Sequence, residues 1–150
     1  MRIHKANWLH LFKAARYLSA SDRAEMGRIA SGRDPIDVLT ASSNDPTVKA
    51  ISDDLGNVLA VGGHSSGVIW FVHTKYAERL GLTDRLKMLR LLTGHLANIK
   101  IDAIREHPND TYHFTNIVSE QNTAHIRLLN HLGATWVGEC DVDGFRQFLF

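Results

Sequence analysis

Residues 122–134 read NTAHIRLLNHLGA, with polar residues at one end and a glycine at the other. This stretch predicts a short helix. Asn122 stands at the mouth, where asparagine is among the best capping residues, and Gly133 stands where a helix commonly ends in a left-handed residue. On either side the period shortens. YHFTNIV, residues 112–118, and WVGEC, residues 136–140, carry the aromatic and β-branched residues of strands. FRQFLF, residues 145–150, follows as a closing strand after a turn at Asp143 and Gly144. A strand, a capped helix and a hairpin thus make up the C-terminal third.

Working back, Leu86, Leu89, Leu92, Leu96, Ile99 and Ala103 step by threes and fours, which predicts a long helix from Thr83 to Glu106. Ahead of it lie three strand-like runs: TVKAISDD, NVLAVGG and VIWFVHT, residues 68–74, separated by the turn signals LGN and HSSG. They predict a three-strand antiparallel meander whose last strand is buried. SSNDP, residues 42–46, is a loop, preceded by one helical turn at DPIDVL, where Asp34 can cap and Pro35 suits the first position. NWLHLFKAARYL places Trp8, Leu11, Phe12, Ala15 and Leu18 at helical spacing. SDRAEMGRIA continues as a second helix with Asp22 and Glu25 in capping-box register and Gly32 as its C-cap. RIHKA is a short first strand. The expected order is β-α-α-β-β-β-α-β-α-β-β in one domain spanning 1–150, an α/β (α+β) class with a mixed central sheet and helices on both faces.

Composition narrows the function. Of 150 residues, 44% are hydrophobic and 22% charged, as in ordinary globular proteins, and the formal charge is +1. No strong field points to nucleic acid. A single cysteine, Cys140, rules out an internal disulfide. The opening MRIHKANWLHLF lacks the apolar core of a signal peptide, and no apolar run is long enough to span a bilayer. A cytoplasmic protein is expected.

The element order, with NTAHIRLLNHLGA between two strands, resembles the GCN5-related N-acetyltransferase (GNAT) superfamily. Helices at this point of that superfamily commonly run N-x-x-A-x-x-L-Y-x-x-x-G-F, and Asn122, Leu128, Gly133 and Ala134 supply matching features. A subset is closer still: short GNAT-like proteins encoded among the virion genes of short-tailed phages, which carry stretches like LAVGG, VIWFVHT and N-T-x-H-I-R-x-L-x-x-L-G-A, all found here in that order. The resemblance implies transfer of an acyl group, as from acetyl-CoA, to an amine. It equally allows a catalytically inactive protein of this fold that acts in virion assembly, inside the virion, or on a host protein. The location implied is the host cytoplasm or the virion.

The same resemblance assigns residues. The acyl-CoA arm would lie where VIWFVHT and YHFTNIV splay apart, along the backbone of Phe71, Val72 and His73, with Asn122 touching the arm as well as capping the helix. The pyrophosphate would lie at KYAERLGLTDRL, residues 75–86, with Gly81, Arg79 and Arg85 as contacts. That loop departs from Q/R-x-x-G-x-G/A. Glu78 stands at the Q/R position and Thr83 at the second glycine, and Asp84 places negative charge at the helix start. The tyrosine that often protonates the leaving thiolate is replaced by Leu129, which cannot donate a proton. His73 is the leading candidate for a general base, with His125 next, and Tyr112, His113 or water for the missing acid. No pair of the nine histidines has zinc-site spacing, and no metal is expected. Trp8, Trp70, Phe71, Phe145, Phe148 and Phe150 are expected in the core. The edge of FRQFLF is a conceivable dimer strand.

Overall fold

The computed structural model describes residues 1–108 and 113–150. One seven-stranded sheet runs through it, in the order β1-β2-β3-β4-β5-β7-β6. Its strands are β1 (Arg2–Lys5), β2 (Lys49–Ser52), β3 (Val58–Ser65), β4 (Val68–His73), β5 (Thr115–Ser119), β6 (Thr135–Val137) and β7 (Phe145–Leu149). The helices are α1 (Trp8–Arg16), α2 (Ala20–Ile29), α3 (Pro35–Thr40), α4 (Lys75–Glu78), α5 (Leu82–Glu106) and α6 (Thr123–Leu132). The predicted order holds with two short helices added. The turn at DPIDVL is α3, capped by Asp34, whose side chain accepts from the Ile36 N–H at 2.8 Å. The start of KYAERLGLTDRL coils into α4 behind Thr74.

Helices cover both faces. Leu11, Ala14 and Ala15 of α1 pack on Val48, Ala50 and Val61, while Leu96, Ile99 and Ala103 of α5 join Leu129 of α6 over Ile69, Val118 and Phe148. Three expectations need correction. The closing strand is not an edge: β7 sits between β5 and β6, so the free edges belong to β1 and β6. Trp8 is outside the core, 53% exposed, with its ring stacked on Phe12. And α2 ends at Ile29 with Ala30 extended, so Gly32 lies beyond the cap, in a turn at φ +78°.

Six neighbouring pairs close this sheet, and five are antiparallel. The exception, β4 beside β5, is parallel and shares a single register pair, Val68 with Thr115. The Thr115 N–H donates to the Gly67 carbonyl at 2.8 Å, and the Asn116 amide reaches across to the Ile69 carbonyl at 2.8 Å. Beyond that point the strands separate. The segment between α1 and α2 lies against the far end of β4 instead: Leu18 bridges Thr74, the Ser19 N–H donates to the His73 carbonyl and the Lys75 N–H to the Tyr17 carbonyl. This pairing delivers the first turn of α2 to the gap. Among the described residues, no helix is long and apolar enough to cross a membrane.

Candidate functional site in the sheet gap

The gap is filled by side chains of α2 and α6. Ser19 caps α2 by accepting from the Asp22 N–H at 3.1 Å, so the capping box expected from Asp22 and Glu25 does not form. Both carboxylates turn inward, and both are buried together with Met26. Spacing explains this: residues i, i+3 and i+4 share a helix face, so burying Met26 carries Asp22 and Glu25 in with it. A buried carboxylate requires donors. Asp22 Oδ2 accepts from the His73 N–H at 2.8 Å and faces His73 Nδ1 at 2.8 Å. Glu25 Oε1 accepts from the Ser119 N–H at 3.3 Å. Two helix carboxylates therefore take backbone N–H groups that a continuous β4–β5 ladder would have paired.

Asn122 joins them. Its side-chain oxygen accepts from the His125 N–H at 3.2 Å and caps α6, while its amide nitrogen donates to Asp22 Oδ1 at 3.1 Å and to Glu25 Oε2. It is 1% exposed, and its two amide hydrogens are both used inside the protein. The asparagine is thus a helix cap and an internal cross-link at once. Asp22, Glu25 and His125 also place three potential cation ligands within 4.8 Å of one another. The Asn122 amide nitrogen lies between the two carboxylates and already serves them as a neutral donor.

Electrostatics follow from this packing. Burial acts to raise the Asp22 carboxyl, but the bonds from the His73 ring and backbone and the charges of His73 and His125 outweigh it and hold the carboxyl low. For His73 burial acts to lower the imidazole. The Asp22 bond, then the charges of Asp22 and Glu78, reverse that and raise it. His73 Nε2 faces Glu78 at 3.8 Å.

Two clefts open from the gap, one on each face. On the α5–α6 face, Ala60, His73, Glu78, Arg85, Met88 and Leu128 surround about 1070 Å³ of empty space, mouth included. On the α2 face, Asp22, Glu25, Arg33, Trp70 and Asn116 help to enclose about 570 Å³. Phe71 and His125 line both, their ring centroids 4.5 Å apart. Strand alternation directs the backbone of β4 unevenly. Thr74 pairs with Leu59 toward β3, whereas Ile69 and His73 meet the gap, so the Phe71 N–H and C=O face the gap and those of Val72 face β3.

The remaining predicted contacts lie at the mouth of the larger cleft or elsewhere. Gly81 is the N-cap of α5 and makes no side-chain cap bond, so the helix starts one residue earlier than Thr83, with Asp84 in its first turn. Arg85 is exposed and donates to the Glu78 carbonyl at 2.8 Å, and Arg79 is an exposed residue in the turn after α4. Tyr112 lies outside the described residues. Leu129 is fully buried in the core beneath α6. Sequence reasoning missed Asp22 and Glu25 as site residues. Their signal was the shared face with Met26.

This sheet order, with its single splayed parallel pair and helices on both faces, is the GNAT fold. The GNAT domain of S. lividans PAT matches it with a TM-score of 0.67 at 14% identity, covering 99% of this chain and 89% of that one. A GNAT-family acetyltransferase from Bacillus anthracis matches at 0.64 and 11% identity, over 99% and 92%. A phosphinothricin acetyltransferase from Sinorhizobium meliloti, solved in complex with acetyl-CoA, matches at 0.59 and 11%, over 99% and 86%. Within that fold the chain has a narrower place. Residues 48–140 match the family model described as bacteriophage T7, probable scaffold protein Gp13, and the chain belongs to that family. No curated protein matches it.

Proposed function

We propose that this chain is a phage-type N-acyltransferase that takes an acyl group from an acyl-CoA, acetyl-CoA in the simplest case, and transfers it to an amine. The observation that carries the reading is the pair of clefts meeting at Phe71 and His125. Acyl transfer needs donor and acceptor to approach one carbonyl from different sides, with a backbone donor aimed at the oxygen that becomes negative. The acyl-CoA arm would lie in the larger cleft along Phe71, Val72 and His73, its thioester oxygen at the gap-facing Phe71 N–H. Its pyrophosphate would meet the uncapped start of α5 at Gly81, with Arg79 and Arg85 beside it. The amine would enter from the α2 side, through the cleft that Asp22, Glu25 and Asn116 help to line. Asn122 holds α6 and α2 together at the gap. His73, fixed by Asp22, presents a polarised ring to the cleft. Calorimetric titration with acetyl-CoA tests this: micromolar binding supports it, and no heat or thermal shift at millimolar ligand refutes it.

A second reading is an assembly protein of the same fold, without transferase activity, in the virion or bound to a phage or host protein. Membership in the probable scaffold family favours it. So does the Asn122 amide, whose hydrogens are already used, and so does the negative Asp84 at the phosphate position. Binding to purified virion proteins with no response to acetyl-CoA identifies this case.

A further inference from the structure

Under the acyltransferase reading, on which this inference rests, the expected acid is missing: its position holds Leu129, which has no proton to give and lies sealed in the core. The gap holds a different proton carrier. His125 is the third residue of α6, and its ring lies against Phe71 at the one place where both clefts meet. Its two nitrogens have opposite surroundings. Nδ1 is 4.0 Å from Asp22 Oδ1 and 3.8 Å from Glu25 Oε2, the two oxygens that Asn122 bridges. Nε2 is closed off from solvent and has no hydrogen-bond partner among the described residues. Leaving a buried nitrogen without a partner is costly, and a bound group that exchanges a proton there removes the cost.

We propose that His125 is the proton shuttle of this site, serving both as base and as acid through Nε2. The neutral amine attacks the thioester carbon, and the N–C bond forms as electrons move onto the carbonyl oxygen. Nε2 takes the proton that the amine nitrogen then loses. The carbonyl re-forms, the C–S bond breaks, and the same proton passes from Nε2 to the departing sulfur. Amide and free thiol result, and the ring ends as it began. The transient imidazolium faces the carboxylates of Asp22 and Glu25 from α2. The other charged or titratable groups lining the two clefts are His73 of β4, Glu78 of α4, Arg85 of α5 and Arg33, which follows α2. One histidine can perform both transfers because it borders both clefts, which a residue confined to either face cannot do.

The test needs no acceptor. Coenzyme A and its desulfo analogue are titrated into wild type and His125→Gln, with binding followed by calorimetry and the thiolate ultraviolet band followed against pH. In wild type the bound thiol should ionise at least about one pH unit lower than free thiol, a tenfold change in thiolate fraction. The substitution should abolish that shift. The Nε2 resonance should respond to coenzyme A and not to the desulfo analogue. Binding by both proteins with identical thiol ionisation overturns the shuttle and leaves the acyltransferase reading intact. Absence of coenzyme A binding by wild type overturns both. Should the variant fail to bind, the wild-type resonance decides alone, and an Nε2 indifferent to the sulfur overturns the shuttle.

Discussion

At the scale of the residue, Asn122 performs two tasks that separate substitutions distinguish. Asn122→Ala removes the α6 cap and leaves two buried carboxylates short of a donor. The combined loss should be about 2–4 kcal/mol by chemical denaturation. Asn122→Asp restores a good cap but places a third carboxylate against Asp22 and Glu25. If capping were the whole role, the aspartate would be harmless. Instead it should destabilise the protein, more at neutral than at acidic pH. His73 and Asp22 predict a further pH dependence. The raised imidazole contributes stability in full below its ordinary 6.5 and loses it as pH rises through the folded value. The lowered carboxyl contributes above 3.8 and loses it as pH falls through its own folded value. Melting temperature should therefore decline as pH rises above 6.5, and Asp22→Asn should flatten that limb. The sequence made Asn122 legible as a cap because capping is local. Its second task was not legible, because Asp22 lies 100 positions away and only the gap brings them together.

At the scale of the element, strands and long helices were readable from period alone, as in α5 and the β2–β4 meander. The leucine spacing puts the start of α5 at Thr83, whereas the helix begins at Leu82 behind Gly81, with no side-chain bond to the first N–H groups. Asp84 is the unfavourable charge there, paired with Lys87 at 3.0 Å. Under the proposed function, Asp84→Asn should tighten acetyl-CoA binding roughly two- to fivefold, the effect of one charge at a helix end. An unchanged dissociation constant would separate the pyrophosphate from this turn. In the meander, Gly62 is required by closeness rather than by dihedral angle. A Cβ there would lie 2.6 Å from Phe71 Cβ and 2.6 Å from the Trp70 carbonyl oxygen. Gly62→Ala must push β4 away from β3, at about 1–3 kcal/mol, and should move the Phe71 ring off His125, visible as a changed ring-current shift. The burial of Asp22 and Glu25 was hidden because an acidic i, i+3 pair near a helix start ordinarily reads as exposed.

At the scale of the molecule, the family resemblance and the sheet order agree. Three clusters fill the core: one around α1, α3 and β2–β3, a second where α4 and α5 cover Ile51 and Leu59 on the other side of those strands, and a third around α5, α6, β5 and β7. Amide exchange should follow this division: β2–β4 should be protected as one group and β5 with β7 as another, and Glu25→Gln should speed exchange at Ser119 in particular. The parallel seam has one register pair where other seams have rows of them. In mechanical terms it is pinned at Val68 and Thr115, and past the pin the Asp22–Glu25–Asn122 cluster clasps the two strands. A seam of backbone bonds opens at a cost set by the fold and shared by every sequence that adopts it. Past its pin this seam is held by side chains, so single substitutions at Asp22, Glu25 or Asn122 should change the width of the gap while leaving the backbone ladders of the sheet intact.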